Sequence, residues 1–128
     1  MMVGFSLDKR VLQILDDIKA VDPVILDVGN VSEFADTMIV ATGTSSRHVK
    51  SMHDVLISSI KDLKVSLLGV EGKDSKDWIL IDFGDLIVHL MRAETREFYD
   101  LEKFWSNQKK PDKSFGEVYE NPHSIDFK

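Results

Sequence analysis

Gly43-Thr44-Ser45-Ser46 stands between an apolar run and an amphipathic one, with Arg47 and Lys50 just behind it. A glycine- and hydroxyl-rich turn leading from a strand into a helix can cradle a phosphate with its backbone N–H groups, and the two cations would then serve as ligands. The spacing is neither GxxxxGK[ST] nor GxGxxG, and the same residues suit a turn that only caps the helix. Asp82 and Asp85 flank a second turn and, with Asp77 as a third, offer carboxylates of the kind a divalent metal takes. Alternation along a strand does not oblige Asp82 and Asp85 to share a face, however, and Gly84-Asp85 is ordinary turn chemistry. A metal-dependent transferase would also need a second acid near the glycine turn, where the sequence has none. His48, His53, His89 and His123 show no HxxxH spacing with a third partner, so no zinc site is expected. No serine, threonine or lysine has a recognisable activating base. The enzymatic alternative is a nucleotide-binding protein or nucleotidyltransferase using Gly43–Ser46 with Asp82 and Asp85.

These residues belong to a chain of 128 residues with 43% hydrophobic and 30% charged content. That is the make-up of one ordinary globular domain with enough chain for a core. A formal charge of −6 argues against binding nucleic acid through overall charge, while leaving room for a local basic patch. Cysteine is absent, which removes disulfides and thiolate metal sites and fits a reducing cytosol. The opening segment becomes charged too soon for the apolar stretch of a signal peptide, and the apolar runs are far too short to span a bilayer. A cytoplasmic protein without a membrane segment is expected.

Leu7 to Ala20 reads as a first helix, N-capped by Ser6, with Val11, Leu12, Leu15 and Ile18 on one stripe. Pro23 forbids its continuation, and Val24 to Val28 reads as a strand ending at Gly29-Asn30. Thr37 to Thr42 is a second strand, apolar enough to be covered on both faces. A second helix follows from about Ser46 to Leu63, its buried stripe made of Val49, Met52, Val55, Leu56 and Ile60. Arg47, His48 and Lys50 all fall in its first turn, against the helix dipole, unless something compensates them. Val65 to Val70 is a short strand and Glu71 to Lys76 a polar loop. Glu94 to Trp105 forms a last helix, with a break allowed, carrying Phe98, Leu101 and Trp105 at helical spacing.

The order α-β-β-α-β-β-β-α implies an α/β domain over residues 1–105, a small mixed sheet of about five strands with helices packed on it. Residues 106–128 carry two of the chain's three prolines and little periodicity. They read as a polar, mobile tail with Phe115, Val118 and Tyr119 as a weakly adhesive patch.

The stretch from Asp77 to Trp105 organises the rest, and its first half is a hairpin. Two apolar runs, Trp78–Phe83 and Leu86–Met91, meet at Gly84-Asp85, a pair suited to a tight turn. A two-residue turn sets Phe83 opposite Leu86, Ile81 opposite Val88 and Ile79 opposite Leu90, a wholly apolar face for helices to cover. The other face carries Trp78, Leu80 and Asp82 against Ile87, His89 and Met91. Either a helix or the tail covers it, or it is a docking surface, since a large exposed apolar patch with Trp and Met marks an interface. On the docking reading Trp78 is the binding hot spot and dispensable for folding, whereas Ile81 belongs to the core.

ATGTSSRHVKS (41–51), GVEG (69–72), DWILIDFGDLIVHLM (77–91) and REFYDLEKFW (96–105) closely resemble the ribosomal silencing factor family, also called Iojap-like or RsfS proteins. The similarity covers roughly residues 7–105. It implies a noncatalytic translational repressor with no cofactor and no metal. Members bind a protein of the large ribosomal subunit, the one numbered fourteen, where it meets the small subunit. They block subunit joining when nutrients are short and also influence ribosome biogenesis. The resemblance further implies a fold similar to a minimal nucleotidyltransferase without its catalytic acids, in keeping with the poor placement of acids here. The family's binding surface lies on the sheet and its tryptophan matches Trp78. Alternation adds Leu80, Ile87, His89 and Met91 as partner-binding residues, and the same patch could pair two copies as a homodimer. Arg47, His48 and Lys50 are candidates for secondary contacts with rRNA or acidic groups, while the net negative charge pushes recognition onto protein. Met91-Arg92-Ala93 is local to this chain, so no role passes to Arg92.

Overall fold

A computed structural model of the chain describes residues 6–30, 32–33, 35–75 and 77–106. In chain order they form α1 (Leu7–Asp17), β1 (Val21–Asp27), β2 (Thr37–Gly43), α2 (Ser46–Lys61), β3 (Gly69–Glu71), β4 (Trp78–Asp82), β5 (Leu86–Arg92), α3 (Ala93–Tyr99) and α4 (Leu101–Ser106). One mixed sheet holds all five strands in the order β1-β2-β5-β4-β3. β2 and β5 run parallel at its centre, and every other neighbouring pair is antiparallel. The α/β architecture is therefore the one the element order implies, with the last helix in two pieces. The tail patch of Phe115, Val118 and Tyr119, and His123 with it, falls outside the described residues.

Several boundaries differ from the sequence pattern for local reasons. Ser6 caps α1 by accepting from the Lys9 N–H, but the helix stops at Asp17 rather than Ala20. Lys19 turns left-handed at φ 63°, and the Ala20 N–H closes back onto the Leu15 carbonyl at 2.9 Å. β1 starts before Pro23, which an edge strand tolerates because a missing N–H there need not break a ladder bond. The register also shifts between Val21 and Val24, around the proline. β3 is shorter than Val65–Val70, since its ladder forms only where Gly69, Val70 and Glu71 oppose β4.

The hairpin has the expected register: Ile81 pairs with Val88 and Ile79 with Leu90, and the Phe83 N–H donates to the Leu86 carbonyl at 2.9 Å. Gly84 has φ +94°, a conformation glycine adopts without strain, and its N–H donates to Asp82 Oδ1 at 2.8 Å. On the first face, Ile79, Ile81, Phe83, Leu86, Val88 and Leu90 join Ile39 and Ala41 of β2 beneath α1 and α2. Val11, Leu15, Val49, Met52 and Leu56 come down onto them from those helices, all fully buried.

The second face is covered as well, which overturns the expectation of an open docking sheet. Trp78 is 3% exposed, His89 and Met91 are wholly buried, and Leu80 and Ile87 are buried with them. They form a second core with Val28, Met38, Val40 and, from α4, Leu101 and Trp105. A homodimer through this patch has no surface to use. The physical reason lies at Asp100, which adopts a left-handed conformation with φ 47° and ψ 56° between α3 and α4. Phe98, Leu101 and Trp105 would share a stripe on one continuous helix. The break shifts the phase, so Leu101 and Trp105 turn inward while Phe98 is left 79% exposed.

Both hairpin faces should then be sensitive to truncation. Ile81→Ala is expected to lose about 2–5 kcal/mol of stability, and Trp78→Ala a comparable 3–5 kcal/mol. Denaturant unfolding checks this. A Trp78→Ala protein as stable as the wild type would mean that the second face is not closed.

Candidate docking surface

At the centre of the second core the Trp78 Nε1–H donates to His89 Nδ1 at 3.0 Å. An indole nitrogen can only donate, so Nδ1 is the accepting nitrogen of this imidazole and the ring proton belongs on Nε2. The two rings lie 5.8 Å apart, centroid to centroid. Tyr99 packs against Trp78 with ring centroids 4.9 Å apart, and Phe98 meets Tyr99 edge-on at 4.8 Å and 86°. Four aromatic rings thus climb from the wholly buried His89, through Trp78, to Tyr99 at 39% and Phe98 at 79% exposure. Among the described residues Phe98 is the most exposed large hydrophobic side chain.

The outer pair sits on α3, a seven-residue helix with no buried residue of its own. Arg96 braces it. Its Nε and Nη2 donate to Glu102 Oε1 and Oε2 at 2.8 and 2.9 Å. Its Nη1 donates to Thr42 Oγ1 at 2.8 Å and to the Val21 carbonyl at 3.4 Å. Hydrogen bonding from Arg96 holds the Glu102 carboxyl below the usual glutamate value, against the opposing effect of its partial burial and with help from the guanidinium charge. Around Phe98 the surface is acidic, with Glu94, Glu97 and Asp100 all exposed. Arg92 makes only long contacts there, 3.7 Å to Asp77 and 3.5 Å to Glu94.

The glycine turn has a structural explanation. A Cβ on Gly43 would stand 2.8 Å from Val49 Cγ2 and 2.9 Å from the Val49 nitrogen, so glycine lets α2 start close against β2. Ser45 caps α2 by accepting from the His48 N–H at 3.0 Å. The Thr44 N–H donates to His48 Nδ1 at 2.9 Å, and His48 Nε2 then donates to the Ile18 carbonyl at 2.8 Å. Two N–H groups that a phosphate would want are engaged internally. His48, carrying one ring proton, is no cation set against the helix dipole. Lys50 is paired with Asp54 at 3.2 Å, and Arg47 is exposed.

Asp82 and Asp85 are nowhere near this turn. Gly43 is level with Arg92 and Thr37 with Leu86, so the glycine turn and the hairpin turn lie at opposite ends of the parallel pair. Six residues of strand put about 20 Å between them. A transferase site built from Gly43–Ser46 with Asp82 and Asp85 is therefore ruled out by the register. Among the described residues, no group of three or more His, Asp or Glu side chains could hold a metal ion. No described helix is long and apolar enough to cross a membrane.

The α/β domain is closed on both sheet faces and carries an aromatic ridge raised on a braced helix. The sequence profile described as ribosomal silencing factor during starvation matches residues 6–126, so the similarity extends beyond residue 105. A ribosomal silencing factor from Haemophilus influenzae is 45% identical over 101 residues, 79% of this chain and 99% of that protein. A mouse protein named mitochondrial assembly of ribosomal large subunit protein 1 is 37% identical, the match taking in 80% of this chain and 46% of that one. A crystal structure from Chromobacterium violaceum superposes with a TM-score of 0.76 at 38% identity, covering 83% of this chain and 88% of its own. The chain belongs to the ribosomal silencing factor family, and it is a regulator rather than an enzyme.

Helical spacing groups Phe98 with Leu101 and Trp105 and gives Tyr99 no role, yet Phe98 and Tyr99 are surface residues. The signal was present in REFYD, two aromatics followed by an aspartate, a residue type that tolerates the left-handed region. The Arg96–Glu102 pair also makes stability depend on pH. Glu102 is held below the ordinary 4.5, so its contribution is complete above that value and is lost as pH falls through the lowered one. Acid titration of unfolding should show a shallower decline below that value in Glu102→Gln than in the wild type; equal slopes would place the acid sensitivity elsewhere.

Proposed function

We propose that this chain represses translation by docking on a protein of the large ribosomal subunit, the one numbered fourteen, on the face that meets the small subunit. The observation that carries the reading is the Phe98–Tyr99 ridge, 79% and 39% exposed, in a chain of the silencing-factor family. Large aromatics held out of the core are the usual anchors of an interface. Trp78 serves the ridge from beneath as the ring on which Tyr99 rests, and Leu80, Ile87, His89 and Met91 serve it as the layer that carries Trp78 and α4. The acidic rim and a formal charge of −6 favour a basic protein surface and disfavour bare rRNA phosphate. Arg47 and Lys50 start α2 at the same end of the sheet as α3, where they would meet rRNA or acidic groups at the edge of the footprint.

The mechanism is steric and takes place in the compartment where subunits join. An interface of standard size, about 800 Å² per partner, is enough to hold the domain where the small subunit must land. Mixing purified subunits with the protein and following association by light scattering tests it directly. The wild type should suppress joining at saturation. Phe98→Ser should need roughly thirtyfold more protein for the same effect, as for a hot spot of about 2 kcal/mol, at an unchanged thermal midpoint. Undisturbed formation of the joined ribosome would refute the reading.

A further inference from the structure

We infer that Arg96 is the positioning residue of the docking surface: it fixes α3 so that Phe98 and Tyr99 stand out above Trp78. The inference rests on the docking reading above. α3 places no residue in either core and passes into α4 through the left-handed Asp100 at φ 47°, so helix continuity does not set the direction of its far end. α4, by contrast, is anchored by the buried Leu101 and Trp105.

The Arg96 side chain, 12% exposed, reaches from α3 to three other elements. It forks onto both Glu102 oxygens of α4 and reaches Thr42 Oγ1 of β2 and the Val21 carbonyl of β1. A planar guanidinium can make the fork and the sideways bond together, whereas a lysine ammonium is a single point that cannot span them. Phe98 is two residues further along the same helix. Without the brace, the ridge would have to be ordered at the moment of docking, and that ordering would be subtracted from the affinity.

The test is the affinity of the full chain for purified large ribosomal subunits, with thermal midpoints measured alongside. Arg96→Gln should weaken binding about tenfold, equivalent to about 1.4 kcal/mol. Arg96→Lys should do the same while keeping the charge, and it carries the test should the glutamine variant fold poorly. Because Arg96 acts through the ridge, Arg96→Lys introduced into Phe98→Ser should cause little further loss. Contacts between Tyr99 and Trp78 protons, strong in the wild type, should weaken in the lysine variant. Arg96 variants that bind like the wild type, or losses that multiply in the double variant, would overturn the inference while leaving the docking reading intact. A wild type that does not bind large subunits, or a Phe98→Ser protein that binds unchanged, would remove the docking reading and this inference with it.

Discussion

Trp78 and His89 face each other across β4 and β5, and the indole N–H that ends on His89 Nδ1 at 3.0 Å lets the second face of the sheet go dry. A hairpin whose strands alternate Trp, Leu and Asp against Ile, His and Met presents an imidazole in the middle of an apolar surface. Left without a partner and buried, such a group costs about 1–3 kcal/mol. Paired with the indole, it becomes part of the packing, and α4 can lay Leu101 and Trp105 over it. The same face does carry an unpaired donor, since Trp105 Nε1 is buried with no hydrogen-bond acceptor. The closure therefore draws on apolar burial as well as on the satisfied pair.

The surface is built on that core. Tyr99 packs against Trp78, and Phe98 leans on Tyr99. A chain of ring contacts thus runs from a fully buried imidazole to an exposed phenyl. The core and the proposed docking surface are thus joined by ring contacts that are tilted or edge-on. At the same end of the sheet, the glycine turn that could have held phosphate is occupied by its own chain: Gly43 gives α2 room to approach, and His48 ties the turn to the end of α1. The features that look chemical in the sequence are used for packing, and the feature that faces outward is apolar.

How much of this could be read from sequence follows from the range of each interaction. The hairpin was legible down to its register, because two-residue alternation and Gly84-Asp85 are local signals. The first face was legible for the same reason, as were the Ser6 cap and the stripe of α2 except for Val55, which is 38% exposed. The fate of the second face was not, because it depends on where a short helix arrives from elsewhere in the chain. That in turn depends on one backbone conformation, the left-handed Asp100, which reverses the assignments of Phe98 and Trp78: the first moves out and the second moves in. Family membership was visible in long ordered blocks such as DWILIDFGDLIVHLM, but the tryptophan within them marks the support of the ridge rather than its tip.

Hydrogen exchange along the full chain, free and bound to large ribosomal subunits, tests most directly whether a closed sheet docks through its external ridge. In the free protein the amides of β4 and β5 should already exchange slowly, being central strands in a sheet covered on both sides. Binding should slow exchange chiefly across residues 93–100 and leave the hairpin nearly unchanged. Rapid exchange of the Trp78–Met91 hairpin in the free protein, or binding protection confined to that hairpin or to the hairpin turn at residues 82–86, would contradict it.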